Sequence, residues 1–460
     1  LQGLVMSVGG FYWLQEMLMT FSGFPPVLCA LFTGVLCAYQ GGRMALATWL
    51  YARATRRGWP APWVFAGAIA ASELVYPLLF PWYFAGTVHT LPALTQVAEL
   101  GGPILVSVVV IAANLALGEP LLARLERRPV RWATSAAFAG IVAAALAFGA
   151  VRIPQVDAAA QGSPALHVGI VQGNMGLMQK RTDPAEGLRR HLRLTHELVE
   201  RGAELVVWSE SSATFPVPES AYAAMTKSYV SRHLGVPAIL GGVIVRPAQN
   251  GDRERWFNVA LSTGPQGDVR SRYDKRYPLP FGEYLPLGDT FPILYEWSPN
   301  SGKFTPGASD DPLVVPTPAG DVKATTLICY EDILPRFVNE LVNHAKPELL
   351  VNITNDAWFG DTTEPWEHLA LATFRAIEHR RYLVRSTNSG VSAIVDPVGR
   401  VMVHGGTFRA EHLDAIVHRM QSSTVYEVVG DWPWAAVAAA VGAMAFFPRR
   451  RRAGERLPAA

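Results

Sequence analysis

Six apolar stretches, at about 1–13, 24–50, 61–80, 98–118, 132–151 and 432–447, constrain this chain more than any other feature. A helix needs roughly 20 such residues to cross a bilayer, and these stretches reach or approach that length, the first looking truncated and the last short. With 50% hydrophobic and 17% charged residues, the chain is too apolar for one ordinary soluble domain. Part of it must sit in lipid. Residue Leu1 already lies in an apolar stretch, so we expect the natural start and earlier spans to precede it. Arg43 and Glu73 interrupt the second and third stretches. Ionisable groups at that depth face a bundle interior or a cavity, although snorkelling or helix pairing is the plainer reading.

Basic residues give an orientation. Arg53, Arg56 and Arg57 follow the second stretch, Arg124, Arg127, Arg128 and Arg131 separate the fourth and fifth, and Arg449 to Arg452 follow the last. Loops 14–26 and 81–97 hold no Lys or Arg. By the positive-inside rule the Arg-rich segments are cytoplasmic, which leaves 152–431 outside. The net charge of +2 and the clustering of arginine in short stretches argue against a nucleic-acid partner.

The outer segment alternates short β-branched runs with helix-period stretches. Strands are expected at 165–171, 204–208, 238–245, 257–262, 322–328, 349–354 and 391–395, and helices at 184–201, 219–233, 335–344 and 364–381. Asp183 before Pro184 has the form of an N-cap. This predicts a layered α/β domain large enough to bury its own core.

Three pieces of this segment carry chemistry. The run from Ala203 to Glu210 is an apolar strand ending in a carboxylate, which on its own is more often a solvated loop residue. Lys275 precedes a loop stiffened by three prolines and a glycine that returns a second carboxylate, Glu283; a rigid surface loop would read the same way. The run from Val322 ends at Cys329, followed by Tyr330, Glu331 and, after Pro335, a helix. Only three cysteines are present, and Cys29 and Cys37 lie in an apolar stretch. A disulfide framework and a zinc site are therefore excluded. A free cysteine is usually inert packing, but a thiol at a strand end with a carboxylate two residues on sits where open α/β folds present reactive groups.

The order carboxylate, lysine, cysteine, each at or just after a strand, resembles the nitrilase superfamily, whose catalytic set would fall on Glu210, Lys275 and Cys329. Further motifs match: Val171-Gln172-Gly173-Asn174, Pro280-Phe281-Gly282-Glu283, Cys329-Tyr330-Glu331, Asn355 to Gly360 and Arg385 to Gly390. With spans before and after, the chain resembles the apolipoprotein N-acyltransferase family over essentially its full length. One departure is Trp208-Ser209-Glu210, where that family usually has Trp-Pro-Glu; the carboxylate stays in place. The resemblance implies a multi-span α-helical membrane bundle over 1–151, a periplasmic nitrilase-like αββα sandwich over 164–420, and a final span with a basic cytoplasmic tail over 421–460. It implies transfer of an acyl group from a membrane phospholipid, through a Cys329 thioester, to the α-amine of a diacylglyceryl-modified apolipoprotein in the bacterial inner membrane, with no cofactor and no metal. Glu283 and Glu331 would support the site, the former ordering Lys275, and Tyr330 would shape the oxyanion pocket. Phe281, Tyr284, Trp358 and Trp366 suit contact with acyl chains, or equally core packing. Two rival readings remain: a membrane-tethered amidase that passes the acyl group to water, and a non-catalytic lipid-binding scaffold.

Overall fold

The computed structural model describes residues 1–22, 24–176, 183–213, 215–221, 234–248, 254–298 and 301–449. Most of the helix expected at 219–233 and the end of the basic tail lie outside the described residues.

The membrane part consists of α1 (Gln2–Gly10), α2 (Trp13–Ser22), α3 (Pro26–Thr55), α4 (Ala61–Val75), α5 (Pro92–Thr95), α6 (Ala98–Leu125) and α7 (Trp132–Gln161). Among the described helices α3, α6 and α7 are long and apolar enough to cross a membrane. The first expected span is only the short helix α1, which ends where the chain turns at Phe11, and the expected loop 14–26 is mostly a second short helix, α2. The third also ends early. Tyr76 precedes Pro77 and is extended, as a residue before proline must be, and residues 77–83 run without regular structure.

Polar side chains from the spans hold that irregular segment. Gln40 accepts from Leu79 N (2.9 Å) and donates to Phe80 O (2.9 Å), Arg43 donates to Trp82 O (2.5 Å), and Glu73 accepts from Phe84 N (2.9 Å). Arg43 and Glu73 stand 3.9 Å apart with fully buried side chains, and the Arg43 guanidinium lies 3.5 Å from the Trp82 ring centroid. Neither residue snorkels. Backbone groups in lipid demand partners, and these side chains supply them. Gly102 (φ 65°) kinks α6 where a Cβ would meet the Tyr426 ring at 2.7 Å.

The second part opens with β1 (Ala165–Gln172) and α8 (Pro184–Glu200). Asp183 caps α8 by accepting from Glu186 N at 3.1 Å, as expected. Strands β2 (Leu205–Trp208), β3 (Val217–Pro218), β4 (Ala238–Arg246), β5 (Arg255–Thr263) and β6 (Val269–Asp274) join a seven-stranded sheet completed by β13 (Glu411–His418), its path β13-β1-β2-β4-β5-β6 with β3 on β4. After α9 (Ile293–Trp297), a six-stranded sheet ordered β12-β11-β10-β9-β8-β7 is built from β7 (Leu313–Thr317), β8 (Gly320–Ile328), β9 (Leu349–Thr354), β10 (Leu383–Thr387), β11 (Ala393–Val395) and β12 (Val401–His404). Helices α10 (Pro335–Ala345) and α11 (Glu364–His379) cross between its strands; α12 (Val425–Val429) and α13 (Trp432–Phe446) end the chain's described structure.

The two sheets face each other across a core that includes Val168, Ile170, Val207, Ile328, Val351 and Val384. Leu194 and Leu198 of α8 cover the outside of one sheet, and Phe337, Leu341, Leu369 and Ala376 of α10 and α11 cover the other. This is the expected αββα sandwich. All seven expected strands form. Edge strands β6, β7, β12 and β13 escaped notice because their burial is mixed, which blurs the period-2 signal. Strand β10, entirely buried, was hidden because arginine stands at its centre. Phe374 and Ile377 of α11 pack with Ala98, Val106 and Val109 of α6, which seats the sandwich on the bundle.

Candidate active site

Strands β2 and β8, one from each sheet, deliver the carboxylate and the thiol. Glu210 follows β2 and is 6% exposed. Its backbone lies so close to β4 that a Cβ on Gly241 would meet Glu210 Cα at 2.7 Å. Cys329 follows β8 in left-handed backbone, φ 53°. Holding a non-glycine residue there costs about 1–3 kcal/mol, and the turn is fixed by Glu331, which accepts from Ile328 N at 2.8 Å. The same buried carboxylate accepts from Arg276 N (2.7 Å), Tyr277 N (3.0 Å) and the Tyr273 hydroxyl (3.0 Å). Glu331 therefore ties the thiol's turn to the loop that carries Lys275. Burial, offset in part by these donors, lifts its carboxyl to about 7.

Lys275 is fully buried between anions, its Nζ 2.6 Å from Glu283 and 3.8 Å from Glu210. Burial alone would lower its pKa, but Glu283, Glu210 and Cys329 outweigh burial and raise it. It stays an ammonium. Glu283 also accepts from Leu279 N at 2.7 Å, closing its own loop. Asn258 of β5 donates to Glu210 (2.6 Å) and to Glu283 (2.8 Å). Sequence reasoning missed this bridge. The available signal was an asparagine inside an apolar strand, where that residue type is depleted.

The Cys329 thiol feels Glu210 and Lys275 together, so the three expected groups share one space. Burial first, then Glu210 and Asp356, push the thiol well above its ordinary value, against Lys275 and a hydrogen bond with Thr354. It is a neutral thiol at rest. Asp356 belongs to a buried ion network behind it: Arg385 pairs with Asp332 (2.7 Å) and Asp356 (3.0 Å), and His368 reaches Asp332 (2.7 Å) and Asp356 (3.3 Å). Burial and Arg385 would depress His368, but the two aspartates prevail and hold it at about 10.

Cys329 opens into a cavity of about 340 Å³. Its walls come from both parts of the chain: Phe11 and Trp13 from the break between α1 and α2, Phe80 and Trp82 from the irregular segment, and Tyr330 and Phe359 from the sandwich. The four aromatics expected at this surface do not line it. Trp358 packs behind Phe359 and Trp13, Trp366 is 44% exposed and meets His404 edge-on, Phe281 is 58% exposed, and Tyr284 is half-buried in the proline-rich loop. The Tyr330 hydroxyl donates to Leu79 O at 2.7 Å, so this side chain joins the reactive turn to the membrane segment and is not free to face an oxyanion.

The carbon-nitrogen hydrolase family model matches residues 167–428, and that of the apolipoprotein N-acyltransferase N-terminal domain matches 1–116. Curated relatives named apolipoprotein N-acyltransferase include proteins from Pseudomonas putida, 32% identical over 95% of this chain and 85% of the relative, and Geobacter metallireducens, 30% over 96% and 85%. A third, from Ralstonia nicotianae, is 31% identical over 98% and 84%. An αββα sandwich with a cysteine at the end of its strand, seated on apolar helices and matched over 95% of its length by a relative 32% identical, places this chain in the apolipoprotein N-acyltransferase family.

Proposed function

We propose that the chain moves an acyl group from a membrane phospholipid to the α-amine of a diacylglyceryl-modified apolipoprotein, with Cys329 as nucleophile. The observation that carries this reading is a neutral, buried thiol between a carboxylate and an ammonium, opening into an aromatic cavity. A neutral thiol needs a base at the moment of attack. Glu210 takes the Cys329 proton as sulfur attacks the ester carbonyl, and the Lys275 ammonium with the Tyr330 backbone N–H meets the charge that develops on oxygen, each donor contributing roughly 3–4 kcal/mol. Collapse expels the lysophospholipid alkoxide, which Glu210 protonates, and leaves a thioester. The acceptor amine attacks this thioester, Glu210 receives its proton, and the thiol is restored as the amide forms. Glu283 and Asn258 keep Lys275 and Glu210 in register.

The Arg-rich segments support one orientation. Arg449 N donates to Arg57 O at 3.1 Å, so two of those segments meet at one end of the bundle. In our reading that end is cytoplasmic and the sandwich is periplasmic, at the inner membrane. A phospholipid tagged on its acyl chain is expected to label wild-type protein, the label leaving with neutral hydroxylamine, and Cys329→Ala to take none. Label that persists on the alanine variant removes Cys329 from the mechanism. Free fatty acid without triacylated peptide would favour water as acceptor.

A further inference from the structure

The first turn of α11 brings Glu364, Glu367 and His368 to the cavity beside Cys329. Glu367 is engaged, accepting from Trp13 Nε1 (3.3 Å) and Thr363 Oγ1 (2.8 Å). Both ring nitrogens of His368 serve Asp332 and Asp356, which Arg385 also spans. Two anions and two cations thus balance, and the Glu364 carboxyl is left over. Glu364 is 7% exposed. Its Oε1 stands 3.7 Å from His368 Nδ1, beyond hydrogen-bond length, and its Oε2 makes no hydrogen bond. Ser7, on the α1 side of the same cavity, also has a buried hydroxyl without a partner. A buried polar atom left unpaired is costly, and two around one cavity describe a ligand with N–H donors. The ligand atoms of Asp356, Glu364 and His368 lie within 4.8 Å of one another, but a metal ion there would meet Arg385 and a charged imidazole.

We propose that Glu364 recognises a primary ammonium carried by a lipid-anchored reactant, with the Ser7 hydroxyl accepting a second N–H. This rests on the acyl-transfer reading and deepens it. Burial, with Asp356 beside it, pushes the carboxyl well above its ordinary value; a bound ammonium replaces that proton, which leaves to water, and an acceptor ammonium hands one proton back to the Glu364 carboxylate before its nitrogen attacks the thioester. Two reactants carry such a group: the acceptor's α-amine and an ethanolamine headgroup on the donor.

The full-length protein, with Glu364→Gln and the apolar Glu364→Leu, distinguishes them in mixed micelles. Cys329 labelling is compared for donors of equal chains bearing ethanolamine or glycerol headgroups, and acceptor KM and kcat are measured with a diacylated lipopeptide. If the acceptor is the ligand, both variants raise its KM about tenfold, with kcat within about threefold and an unchanged headgroup ratio. If the donor headgroup is the ligand, the variants collapse wild-type preference for ethanolamine toward unity. Variants indifferent in both measurements overturn the proposal, as does an equal fall in every rate including glycerol-donor labelling. Wild-type protein that takes no label overturns the parent reading, a different result from labelled wild type with indifferent variants.

Discussion

Cys329 combines a strained backbone with a resting proton, and the combination has a measurable consequence. A thiol lowered by a cation would alkylate at a constant rate down to acidic pH. Here burial and two carboxylates outweigh Lys275, so alkylation by a small haloacetamide is expected to rise continuously across pH 7–9. A plateau below pH 7 would mean a preformed thiolate. At this scale the sequence was most informative. Glu210, Lys275 and Cys329 stood out by their order, each at or just after a strand, but it was the family resemblance that gave them and Glu283 their expected roles. Asn258 was missed and Tyr330 was expected only at the oxyanion pocket, because the roles of a bridging amide and of a hydroxyl reaching Leu79 depend on partners far away in the chain.

Helix α11 belongs to three structures at once: its N-terminal turns border the cavity and carry His368 into the ion network, and its end meets α6. The network makes stability depend on pH in a definite direction. His368 holds its proton to about 10 in the fold and to about 6.5 when unfolded. Between these values the native state binds more protons, so its contribution is complete below pH 6.5 and fades as pH rises. The melting temperature in detergent should fall between pH 7 and 9.5, the loss on the order of 3 kcal/mol, and His368→Gln should flatten that slope. An equally steep slope in the variant would assign it elsewhere. The helix itself was readable from its apolar period. Its three-way role was not, since periodicity reports one buried face and says nothing about which element covers it.

The sandwich and the bundle are fastened by charge as well as by packing. Arg380, just past α11, donates to Glu99 (2.5 Å) and Gln96 (2.6 Å), and Arg152 of α7 reaches Glu99 (2.9 Å). Removing one partner of a buried pair costs about 3–5 kcal/mol. Arg380→Ala should therefore lower the melting temperature by several degrees and expose the 152–164 junction to protease; unchanged melting would show the apolar contact suffices. Orientation is open to chemistry too. In a Cys329→Ala background, a cysteine replacing Lys323 should react with an impermeant maleimide added outside spheroplasts, and one replacing Arg127 only after permeabilisation. Labelling of the second from outside would invert the topology. Hydropathy revealed that spans exist but hid the stretch 77–83, whose apolar composition imitates a helix while prolines and buried polar side chains hold it open. That stretch receives the Tyr330 hydroxyl on Leu79, one residue beyond the nucleophile. A sandwich expressed by itself, however well folded, would keep only part of the chamber wall and would lose the anchor of its reactive corner.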